Sequence, residues 1–305
     1  MQKKIIKLSS VFILLVMAFM MCSFTVAAES GDFEQNSRDA LKNYLSVSGV
    51  KSKNLNSHSP LSVYVNGSRA SYSGRLISGT AYIPIKSFVE ASTAASVTYN
   101  AISKTLTVNG GGHSISVSDG AYVLYASGRP LFSMMPSVVL SDGNMYVPAS
   151  TLAKAFGVSV TGIGSGGVSV SGNPSPLLSA NRFYREDEVY WLARIINAES
   201  RGEPLLGQIA VGNVVLNRVK STLYPNTIWG VIFDKKYGVQ FSPIIDGSIY
   251  GEPGYTSILA AKICLEGFSV SDDVLFFLYP RASTSSWIPK NREYSFSIGK
   301  HDFYK

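Results

Sequence analysis

The chain has 305 residues, a formal net charge of +7 and 46% hydrophobic residues, enough to bury more than one core. Its lysines and arginines form no dense run, which argues against nucleic acid as a partner, and two cysteines cannot make a disulfide framework. Three scattered histidines give no multi-histidine metal site and no Gly-x-Ser-x-Gly elbow occurs, so neither a zinc amidase nor a serine hydrolase is indicated, and neither a metal nor another cofactor is expected.

Residues 1–28 read as a secretory signal. Lys3, Lys4 and Lys7 precede an apolar run, and Val26-Ala27-Ala28 supplies small residues for cleavage. The expected location is outside the cytoplasm, as a secreted protein; an uncleaved anchor is the alternative. Cys22 follows Phe19-Met20-Met21, which lacks the small residues of a lipoprotein site. Loss of three lysines and no acid would lower the charge from +7 to +4, a mild bias suited to an anionic polymer surface. Cys264 then stands alone in an apolar helical pattern, as a small core residue. Residues 29–60 are polar and rich in serine and asparagine, and read as a tether.

From 61 to 172 the pattern is β, punctuated by Asn66-Gly67, Asn109-Gly110, Asp119-Gly120 and Asp142-Gly143. The segment repeats. Tyr82-Ile83-Pro84-Ile85 and Tyr146-Val147-Pro148-Ala149, each followed by a helical stretch, stand 64 residues apart. Two copies of strand, strand, short helix, strand are expected. Val65-Asn66-Gly67, Gly79-Thr80-Ala81-Tyr82-Ile83-Pro84, Val97-Thr98-Tyr99-Asn100 and Asp142-Gly143-Asn144-Met145-Tyr146-Val147-Pro148 resemble the copper amine oxidase N-terminal-like, or stalk, domain. Copper itself would need clustered histidine or thiolate ligands, and this stretch offers only His113. Binding or spacing, including association with a wall or spore coat, is the expected role.

Gly162-Ile163-Gly164-Ser165-Gly166-Gly167 has dinucleotide-site spacing, but Val168-Ser169-Val170 continues as a strand rather than opening a helix. A hairpin turn is predicted. Residues 173–181, with Asn173-Pro174-Ser175-Pro176, read as a linker to a domain at 182–305.

In that domain one helix is predicted over 186–200, broken at Gly202-Glu203-Pro204; a second runs to Lys220, a short third follows Thr227, and a fourth covers about 255–267. Strands are expected near 275–279, 294–298 and 302–304. At 100° per residue, Leu192, Ala193, Ile196 and Ser200 share one face of the first helix, with Glu199 at its edge. Burial and the negative end of the helix dipole both disfavour a carboxylate there, so Glu199 should keep its proton to higher pH, as a general acid must. A plain ion pair with Arg194 or Arg201 is equally compatible with this geometry.

Ala198-Glu199-Ser200-Arg201-Gly202-Glu203-Pro204, Gly207-Gln208-Ile209-Ala210-Val211, Val215-Leu216-Asn217-Arg218-Val219, Tyr224-Pro225-Asn226-Thr227-Ile228, Gly230-Val231-Ile232, Gln240-Phe241-Ser242-Pro243 and Ile298-Gly299-Lys300-His301-Asp302-Phe303-Tyr304 resemble the SleB/CwlJ family of cell wall hydrolases, the spore cortex-lytic enzymes. The resemblance implies cleavage of peptidoglycan glycan strands, a lysozyme-like transglycosylase fold, and Glu199 as the catalytic acid. The expected fold is therefore multidomain, a β-rich α+β stalk with an internal repeat followed by an α+β lysozyme/transglycosylase-like domain. Gln240 and Ser242 resemble the family's polar positions that could orient sugar groups. Tyr279 stands where the family usually has asparagine, in Phe276-Phe277-Leu278-Tyr279-Pro280.

Glu203 and Asp246 are the candidate second carboxylates. Glu203 reads better as an acid at the start of the second helix, where the dipole favours it. Trp191 and Trp229 read as core residues; Trp287, in a polar serine-rich loop, is a candidate glycan platform. His301 is a further candidate for orienting substrate. With one convincing acid, the expected reaction is that of a lytic transglycosylase. A hydrolytic muramidase or glucosaminidase is the near alternative, and a non-catalytic wall- or spore-coat-binding protein the distant one.

Overall fold

The computed structural model describes residues 58–305 apart from 165, 237, 239, 282 and 284–286. The signal and nearly all of the tether expected from sequence lie outside the described residues. Among the described residues no helix is long and apolar enough to cross a membrane.

The first half begins with the hairpin β1 (His58–Val65) and β2 (Ser68–Ile77). Its turn, Asn66-Gly67, has φ of 50° and 83°, the left-handed pair that a two-residue hairpin needs and that asparagine and glycine tolerate best. Then come β3 (Thr80–Pro84), α1 (Ile85–Ser92), β4 (Ser96–Asn100), β5 (Thr105–Gly110), β6 (His113–Ser118), β7 (Val123–Ala126), β8 (Arg129–Phe132) and β9 (Val138–Val139). β10 (Met145–Pro148), α2 (Ala149–Phe156), β11 (Ser159–Ile163) and β12 (Gly167–Ser171) complete it. One sheet has the order β11-β12-β1-β2-β3-β10-β9, the other β4-β5-β6-β7-β8. Both sheets and both helices contribute to one core, with Ile83, Phe88, Val108, Val117, Leu124, Val147 and Phe156 among its members.

The repeat is visible in the pairing. β3 and β10 run antiparallel with Ile83 opposite Val147, so equivalent residues of the two copies face one another. Each copy continues from its proline into a helix, Pro84 into α1 and Pro148 into α2, where a missing N–H costs nothing. The copies then diverge: β4 and β5 enter the five-stranded sheet, whereas β11 and β12 join β1, with β12 parallel to it. In the glycine-rich stretch, β11 ends at Ile163 and pairs antiparallel with β12, which opens at Gly167 as a strand and not a helix.

The second half contains α3 (Ala180–Phe183), α4 (Glu186–Ser200), α5 (Leu205–Lys220), α6 (Ile228–Ile232) and α7 (Pro243–Asp246), then a 3-10 turn at Ser248–Tyr250 and α8 (Tyr255–Leu265). The strands β13 (Phe276–Leu278), β14 (Tyr294–Ile298) and β15 (His301–Tyr304) form a small sheet in the order β13-β15-β14, with α9 (Trp287–Asn291) between the first two in sequence. Sequence periodicity foretold the long helices. It missed α3, α7 and α9, which are only four or five residues long and too short to show a period.

α5 is buried on every side, from Leu205 through Val215 and again at Asn217 and Arg218. Its polar residues tether loops: Asn213 donates to the Phe268 carbonyl and accepts from Val270 N, and Asn217 donates to the carbonyls of Ser271 and Val274. Gly212 lets three helices meet, since a Cβ there would stand 2.7 Å from Cys264 Sγ on α8 and 2.9 Å from Ile196 Cδ1 on α4. Cys264 is fully enclosed, and burial pushes its thiol far up.

The connection between the halves is fastened to its surroundings. Ser175 N donates to the Phe156 carbonyl and Ala180 N to the Ser127 carbonyl. Arg129 on β8 makes two 2.8 Å bonds to Glu266, just beyond α8, and Tyr184 donates its hydroxyl to the same carboxylate. Phe132 packs edge-on against Phe268 at 4.6 Å, and Phe183 lies beneath the Arg129 guanidinium at 3.4 Å. The stretch expected as a linker therefore lies along a seam in which a buried ion pair crosses from stalk to helical domain.

Candidate active site

Glu199 sits in the last turn of α4, one residue before the buried Ser200. It keeps partial access to solvent, while the protein around it pushes its carboxyl up to about 7. Burial is the main cause, the negative charge of Asp246 adds to it, and the Arg218 guanidinium opposes both. Among the described residues the Glu199 carboxyl has no hydrogen-bond partner. Arg194 is committed elsewhere: its guanidinium donates to the carbonyls of Tyr250 and Gly251 at 2.5 and 2.6 Å and pairs with Glu252 at 2.6 Å. The ion pair with Arg194 that helix geometry allowed is absent.

The neighbouring cation is Arg218, on α5. It is 4% exposed, its Nε donates to the Leu275 carbonyl at 2.8 Å, and the rings of Tyr224, Phe241 and Phe276 surround it with centroids 5.0–5.4 Å away. Its buried Nη1 has no partner among the described residues. Nothing in the sequence pattern singled it out, although Asn217-Arg218 is a polar pair inside an otherwise apolar helix.

Asp246 ends α7, exposed to solvent, with Ser248 N donating to its Oδ1 at 2.8 Å. Those bonds from Ser248 hold its carboxyl below the usual carboxylate range. A carboxyl pushed up to about 7 and a carboxylate held below its usual range thus act electrostatically on one another.

Glu203 is drawn away from this pair. Its carboxylate accepts from Lys300 N at 2.8 Å, and the side chain is 6% exposed against the β14–β15 turn. Gly299, with φ of 60°, makes that turn, and any Cβ there would overlap the Glu203 carboxylate. His301 Nδ1 lies 4.0 Å from the same carboxylate, too far to hydrogen bond, and burial lowers the imidazole pKa, which favours its neutral form. The ring is 7% exposed and packs edge-on against Phe277 at 5.4 Å.

Gln240 donates its amide to the Gly238 carbonyl at 3.1 Å, and the exposed Ser242 stands at the entry to α7. Tyr279 is half-buried, 6.3 Å from the His301 ring. Trp287 opens α9, about half exposed, with Phe276 at 6.3 Å and Arg292 at 5.1 Å. Two expectations about tryptophans need correction. Trp229, expected in the core, is 55% exposed and lies against Phe233, because α6 is a single short turn capped by Thr227 and buries only Ile228, Val231 and Ile232. Trp191, also expected in the core, is only half-buried, wedged between Tyr190 and Phe233.

A family profile described as Cell Wall Hydrolase matches residues 202–304, and one described as Copper amine oxidase N-terminal domain matches residues 64–168. The cell wall hydrolase CwlJ of Oceanobacillus iheyensis is 30% identical over 111 residues, 34% of this chain and 77% of that protein. The chain belongs to the cell wall hydrolase family. A second member, the spore cortex-lytic enzyme of Bacillus cereus, is 36% identical over 143 residues, 46% of this chain and 54% of the enzyme. This chain therefore spans about half the length of that relative. Among solved structures, the catalytic domain of the germination-specific lytic transglycosylase SleB from Bacillus anthracis is 39% identical, with a TM-score of 0.37, covering 40% of this chain and 97% of that one. The family match begins at Gly202, three residues beyond Glu199.

Proposed function

We propose that this family member cleaves the glycan strands of peptidoglycan between N-acetylmuramic acid and N-acetylglucosamine, as a lytic transglycosylase with Glu199 as its acid and base. The observation that carries the reading is a helix-end carboxyl with solvent access, no hydrogen-bond partner among the described residues, and a proton held up to about pH 7. In the first step the Glu199 proton passes to the glycosidic oxygen as the bond from muramic C1 to that oxygen breaks. The carboxylate left behind then takes the proton of the C6 hydroxyl, whose oxygen bonds C1 and closes a 1,6-anhydro ring. Glu199 returns to its starting state and no water is consumed.

Relatives named as spore cortex-lytic enzymes favour spore cortex, or the related cell wall, as the place of action. The signal at 1–28 supports secretion, and the stalk supports attachment to wall or coat. Gln240, Ser242, Tyr279 and Trp287 are proposed to hold sugar, and Glu203 to act as a structural anchor. His301 is proposed to hold sugar only indirectly, by buttressing Tyr279, since its own ring is buried.

A hydrolytic reading keeps one observation in its favour: the ionised Asp246 beside a protonated Glu199 is the division of labour that a water-using glycosidase needs. Digestion of purified sacculi in ¹⁸O-labelled water separates the two. Transglycosylation yields unlabelled 1,6-anhydro ends, about 18 Da lighter than ends hydrolysed in ordinary water and about 20 Da lighter than ends hydrolysed in the labelled water, the mass of the water not consumed. Label in nearly all new reducing ends would overturn the transglycosylase and send the search for the base to Asp246 and Glu203. Intact sacculi after digestion with folded protein would leave only a wall- or coat-binding role.

A further inference from the structure

A cation as deeply enclosed as Arg218 is costly to desolvate, and such residues are normally paired closely with a carboxylate or replaced by an apolar side chain of similar volume. Arg194 obeys that rule through Glu252 and two carbonyls. Arg218 does not. It has one carbonyl bond from Nε, three aromatic rings around it and a buried Nη1 with no partner among the described residues. α4, which carries Glu199, packs directly against α5, which carries Arg218.

We propose that Arg218 is the positioning residue that stabilises the carboxylate Glu199 becomes when it gives up its proton. The inference rests on Glu199 being the acid. With its carboxyl pushed up to about 7, Glu199 keeps its proton below that pH, and the guanidinium then lacks a full counter-charge. Proton transfer to the glycosidic oxygen creates a negative charge on Glu199 within reach of a cation already fixed by Leu275 and the aromatic cage. The cation is held in place before the charge forms, which is the advantage of a preorganised charge. The other charged or titratable groups acting on this pair are Asp246 from α7, which favours the protonated acid, and Tyr224 and Asp234, which share the field of Arg218. Glu203 is engaged by the Lys300 N–H, His301 is buried with its pKa lowered and its Nδ1 4.0 Å from the Glu203 carboxylate, and Lys262 of α8 faces Tyr184.

Sign follows from the roles. Without the cation Glu199 is a weaker acid, so it stays protonated to higher pH but transfers its proton less readily. Arg218→Met should lower turnover on sacculi by about 10–100-fold and move the alkaline limb of the pH profile upward by about one unit. Arg218→Lys keeps the charge and should leave the limb in place. A merely structural role would lower turnover without moving the limb, and a folded Arg218→Met protein with an unmoved limb overturns the proposal.

Against the case that Arg218→Met does not fold, a second measurement uses the unaltered full chain. Glu199 Cδ is assigned in ¹³C spectra by its loss in Glu199→Gln, and the Arg218 Nη signals in ¹⁵N spectra by their loss in Arg218→Lys. Both should titrate with a common midpoint near 7, and Arg218 signals indifferent to the ionisation of Glu199 overturn the proposal. This titration needs no substrate, so failure of the glycan-cleaving reading shows separately, as an inactive protein in which the two groups still titrate together.

Discussion

Two acids of the same domain, Glu266 at the seam with the stalk and Glu199 in the candidate cleft, occupy poorly solvated positions and meet opposite surroundings. Glu266 accepts two bonds from Arg129 and one from the Tyr184 hydroxyl, with a side chain 4% exposed. Glu199 has no hydrogen-bond partner among the described residues and only the electrostatic company of Asp246 and Arg218. A satisfied carboxylate joins two parts of a molecule, and its negative charge is spent on holding them. An unsatisfied one keeps its proton available for a substrate. On the proposed reading the same desolvation serves structure in one place and chemistry in the other, and the difference is the number of donors supplied.

The contrast is broken most severely by removing the proton donor. Glu199→Gln keeps the shape of the side chain and should lower release of soluble muropeptides from sacculi by about 10³-fold or more, with an unchanged circular dichroism spectrum. Full activity in the folded variant would end the assignment. At the seam, Arg129→Met strips Glu266 of its buried partner and should cost about 3–5 kcal/mol in urea denaturation, because it leaves a carboxylate without its cation. A loss under about 1 kcal/mol would show that the seam contributes little.

A smaller effect sharpens the comparison through pH. The folded-state pKa of Glu199 is raised from 4.5 to about 7, so the folded protein holds a proton that the unfolded chain has released. The stability tied to that proton is fully present below pH 4.5 and is lost as pH rises to about 7, up to about 3 kcal/mol. Glu199→Gln should remove this slope, so the variant gains stability over the parent at pH 8 and little at pH 4. Identical denaturation curves at pH 8 would contradict it. Smallest is Glu203→Gln, whose amide oxygen can still accept from Lys300 N; about 1 kcal/mol of stability is expected to go, with measurable activity kept. A loss of activity as complete as for Glu199→Gln would make Glu203 part of the chemistry.

Local features of this architecture were legible in the residues, long-range ones much less so. Gly202 and Pro204 announced the break between α4 and α5, and the position of Glu199 on its helix followed from the apolar spacing of Leu192 and Ile196. The repeat was readable from two Tyr-x-Pro strands, but not the exchange of sheets that follows it, because β5 and β12 have similar residues and differ only in what they pair with. Arg218 was invisible because a lone arginine two residues from a helix end looks like an ordinary C-terminal charge. The seam escaped for a related reason: Arg129 and Glu266 are 137 residues apart, and neither neighbourhood carries a periodic signal for the other. Trp229 was misplaced because hydrophobicity alone does not tell which side of a one-turn helix faces inward.

The facing of Ile83 and Val147 across β3 and β10 has a consequence for how the stalk holds together. The two copies meet as the subunits of a homodimer would, along a self-complementary edge, yet they belong to one polypeptide. Their association is paid in loop closure, which grows only as about (3/2)RT ln n with the length of the connecting chain, and not in the much larger cost of bringing two free molecules together. Their effective concentration is set by the chain and is indifferent to dilution. An interface that carries its own second half stays formed however dilute the protein becomes.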